Sequence, residues 1–84
     1  MKNEKDSNLL FKLGHKIKYE RSKKNITQQY LAELADLSIQ AINAIETGKS
    51  DVKFTNLYAI SQVLGLNLGD FSDFRLWAFA SDFS

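Results

Sequence analysis

Residues able to carry covalent or acid–base chemistry are few in this sequence, and their spacing brings none of them together. There is no cysteine, which excludes disulfides and thiolate metal sites. The one histidine, His15, has no second ligand at a useful spacing, so it reads as a solvated helix residue and no metal site or cofactor is expected. Glu20, Glu33, Asp36 and Asp51 fall at positions explained by helix faces and turns, which leaves no histidine–carboxylate constellation and no expectation of an enzyme. What the sequence concentrates instead is charge. Lys12, Lys16, Lys18, Arg21, Lys23 and Lys24 lie within one stretch against Glu20 alone, whereas Asp70, Asp73 and Asp82 near the C-terminus face only Arg75. The net charge of +1 hides this asymmetry. A basic stretch of this kind marks either a surface for a polyanion such as nucleic acid or simply a solvated helix.

The elements that must position these charges are helical. Proline is absent, β-branched runs are short, and apolar residues recur at intervals of three and four. Leu10, Leu13 and Ile17 after a Ser7 cap predict a first helix over 8–23, closed by Asn25. Thr27 caps a second helix with Leu31, Leu34 and Ala35 inward, and Ser38 caps a third with Ile42 and Ile45 inward. After Gly48 a polar loop leads to a fourth helix that buries Leu57, Ile60, Ser61 and Leu64 and stops at Gly65; Asn67 can cap a short fifth. Eighty-four residues suffice for one domain that buries about 60 % of its unfolded surface, too small for a large substrate cleft. No apolar run approaches the ~20 residues of a bilayer span, and the N-terminal residues lack the apolar stretch of a signal peptide. A cytoplasmic protein without a membrane association is the expectation.

Helices two and three are separated only by Asp36, Leu37 and the Ser38 cap, and two short helices joined by a tight turn can offer one helix to a DNA major groove. Such a crossing needs a small residue on the second helix, met by Ala32, and apolar residues on both sides, met by Leu31, Ala35, Leu37, Ile42 and Ile45. One turn residue needs positive φ, and Asp36 tolerates that region better than most side chains.

In Leu13-Gly14, Ile17-Lys18, Arg21, Thr27-Gln28, Leu31-Ala32, Ser38, Ile42, Ile45-Glu46, Gly48-Lys49 and the run from Leu57 to Gly65, the sequence resembles the Cro and phage-repressor (XRE) family of helix-turn-helix DNA-binding proteins. The resemblance extends from about Leu13 to Phe71. It departs at Asp36, where glycine is usual, at Val52, where proline is common, and at Glu20, where an apolar residue is common. It implies an all-α, five-helix, lambda-repressor-like domain over 9–71, preceded by an N-terminal arm (1–8) and followed by a short aromatic extension (72–84). The implied function is sequence-specific binding of double-stranded DNA by a transcriptional regulator, a repressor or autoregulator reading a pseudo-palindromic operator as a homodimer. An antitoxin that holds a toxin protein, or a restriction-modification controller, is the alternative within the same fold.

The resemblance also assigns roles. The outward residues of helix three, Ile39, Gln40, Asn43 and Ala44, become the base readers: the two amides can pair with adenine N6 and N7, and the two apolar side chains can meet thymine methyls. Gln28 at the start of helix two, together with Thr47, Lys49, Ser50, Lys53 and Asn56 after the recognition helix, would contact phosphates. Arg21 and Glu46 would form a structural ion pair between helix one and the end of helix three. Phe71 fits the position that closes the family's core. Beyond it Phe74, Trp77, Phe79 and Phe83 crowd the terminus, where they would form a dimer or partner interface or fold back on their own domain.

Overall fold

In a computed structural model the described residues are 4–66, with side chains from residue 8 onward. They form four helices and no strand: α1 (Glu4–Lys23), α2 (Gln28–Ala35), α3 (Ile39–Glu46) and α4 (Phe54–Leu64). The first helix begins at Glu4 rather than near residue 8, so part of the expected arm is helical. The fifth helix expected from Asn67, and the extension beyond Ser72, lie outside the described residues.

The punctuation between helices is local chemistry. The Thr27 hydroxyl accepts from the Tyr30 amide and the Ser38 hydroxyl from the Ala41 amide, both at 3.0 Å, which satisfies one orphan donor at each N-terminus. All four helices end in the same way. A residue in the left-handed region (Asn25, Asp36, Gly48 or Gly65) lets the next amide reach back five residues: Ile26 to Arg21, Leu37 to Ala32, Lys49 to Ala44 and Leu66 to Ser61. Asp36, at φ 58°, therefore turns the chain between α2 and α3 without glycine.

One buried side chain or more from each helix meets at the centre. Ile17, Leu31, Ile42, Ile60 and Leu64 are fully buried, with Ala32, Ala35 and Ile45 around them. Leu34 is a correction to the sequence expectation, being half exposed. At 100° per residue the buried stripe of α2 runs through Leu31, Ala32 and Ala35, which leaves Leu34 roughly 100° off its centre.

The α1–α3 crossing is unusually close at Gly14. A Cβ there would collide with the Ile45 carbonyl oxygen and lie 2.8 Å from that of Glu46, so only glycine lets α1 pass over the end of α3. A mid-helix glycine costs about 1 kcal/mol in propensity relative to alanine, and here the backbone approach explains it. Gly48 does the same from the other side, with positive φ and a virtual Cβ 2.9 Å from the Phe11 Cα. The last turn of α3 and the first residues after it are thus seated against α1 backbone to backbone.

Candidate nucleic-acid interface

The face of α3 that points away from this support is short and mostly neutral. Ile39, Gln40 and Asn43 are exposed, Ala44 and Ala41 are partly buried, and Ile42 and Ile45 are in the core. The helix is eight residues long, so its outward side amounts to little more than two turns carrying two carboxamides, one β-branched side chain and a methyl group. Both amide side chains can donate and accept in the plane of a base edge. No acidic side chain lies on that outward face, since Glu46 is turned inward.

A buried polar cluster holds α3 in this orientation. The Arg21 guanidinium donates from Nε to Glu46 Oε2 at 2.7 Å and from Nη2 to Glu46 Oε1 at 3.0 Å, a two-pronged pairing, while its Nη1 donates to the Ile26 carbonyl at 2.7 Å. Gln28 Nε2 adds a further donation to Glu46 Oε1 at 3.0 Å. The Glu46 side chain is 1 % exposed and that of Arg21 12 %. This carboxylate therefore joins three elements: the end of α1, the first turn of α2 and the last turn of α3. Among the described residues no buried side-chain polar atom is left without a partner.

Gln28 is thus first a structural residue, a role that sequence reasoning missed. One of its two Nε2 hydrogens is committed to Glu46, and the side chain stands in the first turn of α2, at the positive end of that helix dipole. Gly14 was quoted in the sequence as part of a motif, but its reason, the carbonyls of Ile45 and Glu46, is visible only in three dimensions.

The loop after α3 carries the other expected phosphate contacts. Thr47 caps α3, and its hydroxyl donates to the Asn43 carbonyl at 2.8 Å, so in this arrangement its proton is used internally. Lys49 is held at the backbone by its amide's bond to the Ala44 carbonyl at 2.9 Å, with its side chain exposed. Lys53 is also exposed, and Ser50 and Asn56 are partly buried. Phe74, Trp77, Phe79 and Phe83 lie outside the described residues.

Glu20, the family departure on α1, is buried, and its carboxylate is met by Lys16 at 3.7 Å and Lys23 at 3.3 Å. Lysines at i−4 and i+3 on the same helix thus accompany a charge where an apolar residue is usual. His15 is exposed and stacks on Phe11 with ring centroids 5.7 Å apart. Among the described residues no group of acids and histidines could hold a metal ion, and no helix is long and apolar enough to cross a membrane.

Comparison with known proteins agrees with this geometry. A family model described as helix-turn-helix matches residues 17–71. An uncharacterized HTH-type transcriptional regulator of Methanocaldococcus jannaschii is 38 % identical over 58 residues, which make up 69 % of this chain and 88 % of that protein. With the α2–turn–α3 unit, its Asp36 turn and the inward-facing Glu46 in place, the chain belongs to the XRE-type helix-turn-helix family.

Proposed function

We propose that this protein regulates transcription by binding a specific double-stranded DNA sequence through α3. The observation that carries the reading is the contrast between the two sides of α3. One side is locked to α1 and α2 by Gly14, Ile42, Ile45 and the Arg21–Glu46–Gln28 cluster; the other presents Ile39, Gln40, Asn43 and Ala44. A rigidly backed helix of two turns fits the major groove, and its amides suit adenine edges while its apolar groups suit thymine methyls. Gln28, Lys49, Ser50, Lys53 and Asn56 then meet the phosphates and set the register, and Thr47 joins them when its hydroxyl turns from the Asn43 carbonyl. Repression or autoregulation is the mode proposed, with a two-fold homodimer placing two recognition helices about one DNA turn, roughly 34 Å, apart on a pseudo-palindrome.

Selection of bound sequences from a random duplex pool tests this directly. An A·T-containing palindromic consensus is expected, and the absence of any enrichment overturns the reading. On the selected site, Gln40→Ala and Asn43→Ala should each lose about 1–3 kcal/mol and relax preference at one base pair, while non-specific affinity hardly moves. Full retention of sequence preference in both variants means that another surface reads the DNA. Lys49→Ala should weaken all sequences alike and reduce the log–log salt slope by about one phosphate's worth, ~0.9. An unchanged slope removes Lys49 from the phosphate set.

A further inference from the structure

Gln40 is the α3 side chain set most directly away from the support of that helix. At 100° per residue the buried Ile42, Ile45 and Glu46 mark one side of α3, and Gln40 lies within about 20° of the opposite point, with Ala44 beside it. Asn43 follows three residues on, roughly 60° round the helix and ~4.5 Å further along its axis, which makes the two carboxamides neighbours. Both residues are exposed, and neither carboxamide has a hydrogen-bond partner among the described residues, whereas that of Gln28 is committed to Glu46. The same face has no arginine or lysine to pair with guanine and no carboxylate to accept from cytosine. Polar base reading by α3 therefore rests on these two amides.

That makes it dependent on a single hydrogen of the DNA. A carboxamide pairs with adenine through two bonds: its N–H donates to N7 and its oxygen accepts from N6–H. Only one of the two N6 hydrogens is open to the major groove, the other being held by thymine O4 in the base pair. When N6 carries a methyl group and the pair stays intact, the methyl takes the groove-side place. The carboxamide oxygen then loses its donor and meets a carbon atom, and the approach to N7 is crowded. An acceptor that has been desolvated and finds no donor is the costly case, more costly than a contact never made.

We propose that binding through α3 is blocked by N6-methylation of the adenines that Gln40 and Asn43 read, so that the methylation state of the DNA site gates its occupancy. This rests on the DNA-binding reading above and extends it from the base that is recognised to the chemical state of that base.

Synthetic duplexes of the selected consensus, carrying N6-methyladenine at one adenine at a time, are titrated with the full-length chain at fixed salt and followed by fluorescence anisotropy. Methylation of an adenine read by either amide is expected to weaken binding about 5- to 100-fold. The variants assign the effect to the side chain: Gln40→Ala or Asn43→Ala binds more weakly, and at the adenine it no longer contacts it binds methylated and unmethylated duplexes alike. Both positions are exposed, so circular dichroism of the variants should match that of the unaltered chain. Equal affinity of the unaltered protein for methylated and unmethylated duplexes at every adenine overturns the proposal and leaves the DNA reading standing, as does a selected consensus that contains no adenine at the discriminated positions. Sensitivity that persists undiminished in both variants also overturns it, because the methyl group then acts through the shape of the duplex. Failure to enrich any sequence overturns the DNA reading, and this proposal with it.

Discussion

Two glutamates of this protein are buried to a similar degree, Glu46 at 5 % exposure and Glu20 at 8 %, yet their surroundings differ in kind. Glu46 is held by a planar guanidinium through two hydrogen bonds and by an amide, with the guanidinium anchored in turn to the Ile26 carbonyl. Its partners come from α1 and α2, so the interaction fixes the direction of α3. Glu20 is met by two lysines of its own helix at 3.7 and 3.3 Å, one of them with a side chain 55 % exposed. Both of these pairings lie within α1, so they offset the charge without joining Glu20 to another helix. Burial alone therefore does not tell whether an ion pair organises a fold; what matters is whether its partners lie on different elements and whether their geometry is directional.

The largest expected effect follows from the first of these sites. Glu46→Ala leaves the Arg21 guanidinium nearly buried without its carboxylate, which should cost about 3–5 kcal/mol, a large share of a total stability of roughly 5–15 kcal/mol. Urea unfolding measures it, and affinity for the selected DNA should fall beyond what the loss of folded protein explains. A cost below 1 kcal/mol would show that α3 is held by apolar contacts alone. Glu20→Leu should behave in the opposite way: replacing a buried charge with an apolar side chain of similar size should change stability by no more than about 1 kcal/mol, or raise it. A loss as large as that of Glu46→Ala would erase the distinction drawn here. The smallest effect belongs to Lys23→Ala, where an exposed i,i+3 pair and a cation–π contact at 5.2 Å together should contribute less than about 1 kcal/mol, a loss reduced further by added salt.

Much of the α2–turn–α3 unit was legible because its information is local. Thr27 and Ser38 announce helix starts with their own hydroxyls, and Asn25, Asp36 and Gly65 announce ends through their tolerance of positive φ. Ile42 and Ile45 facing inward leaves Gln40 and Asn43 outward, so the composition of the exposed face could be read from periodicity. What escaped depends on the neighbour rather than the residue. Leu34 has the right type for a core position but the wrong angle once Ala32 and Ala35 define the stripe. Gly14 and Gln28 acquire their roles from α3 backbone carbonyls and from Glu46, more than fifteen residues away. Glu20 was read as an acid on a helix face, although the apolar residue usual at that position of the family was a legible hint that it turns inward, as the packing of α1 shows.

The span of the Arg21–Glu46 pairing has a consequence for how the protein is made. Twenty-five residues separate the two partners. Gly14 meets its own receiving surface, the carbonyls of Ile45 and Glu46, at a still greater separation. At a synthesis rate of about 5–20 residues per second, roughly 1–5 s pass between the addition of Arg21 and that of Glu46. Throughout that interval α1 can wind as a helix on the ribosome, but its arginine has no carboxylate and its glycine groove no occupant. The helix made first thus waits for the last turn of α3 before it can be locked, and the core closes only when Ile60 and Leu64 of α4 follow.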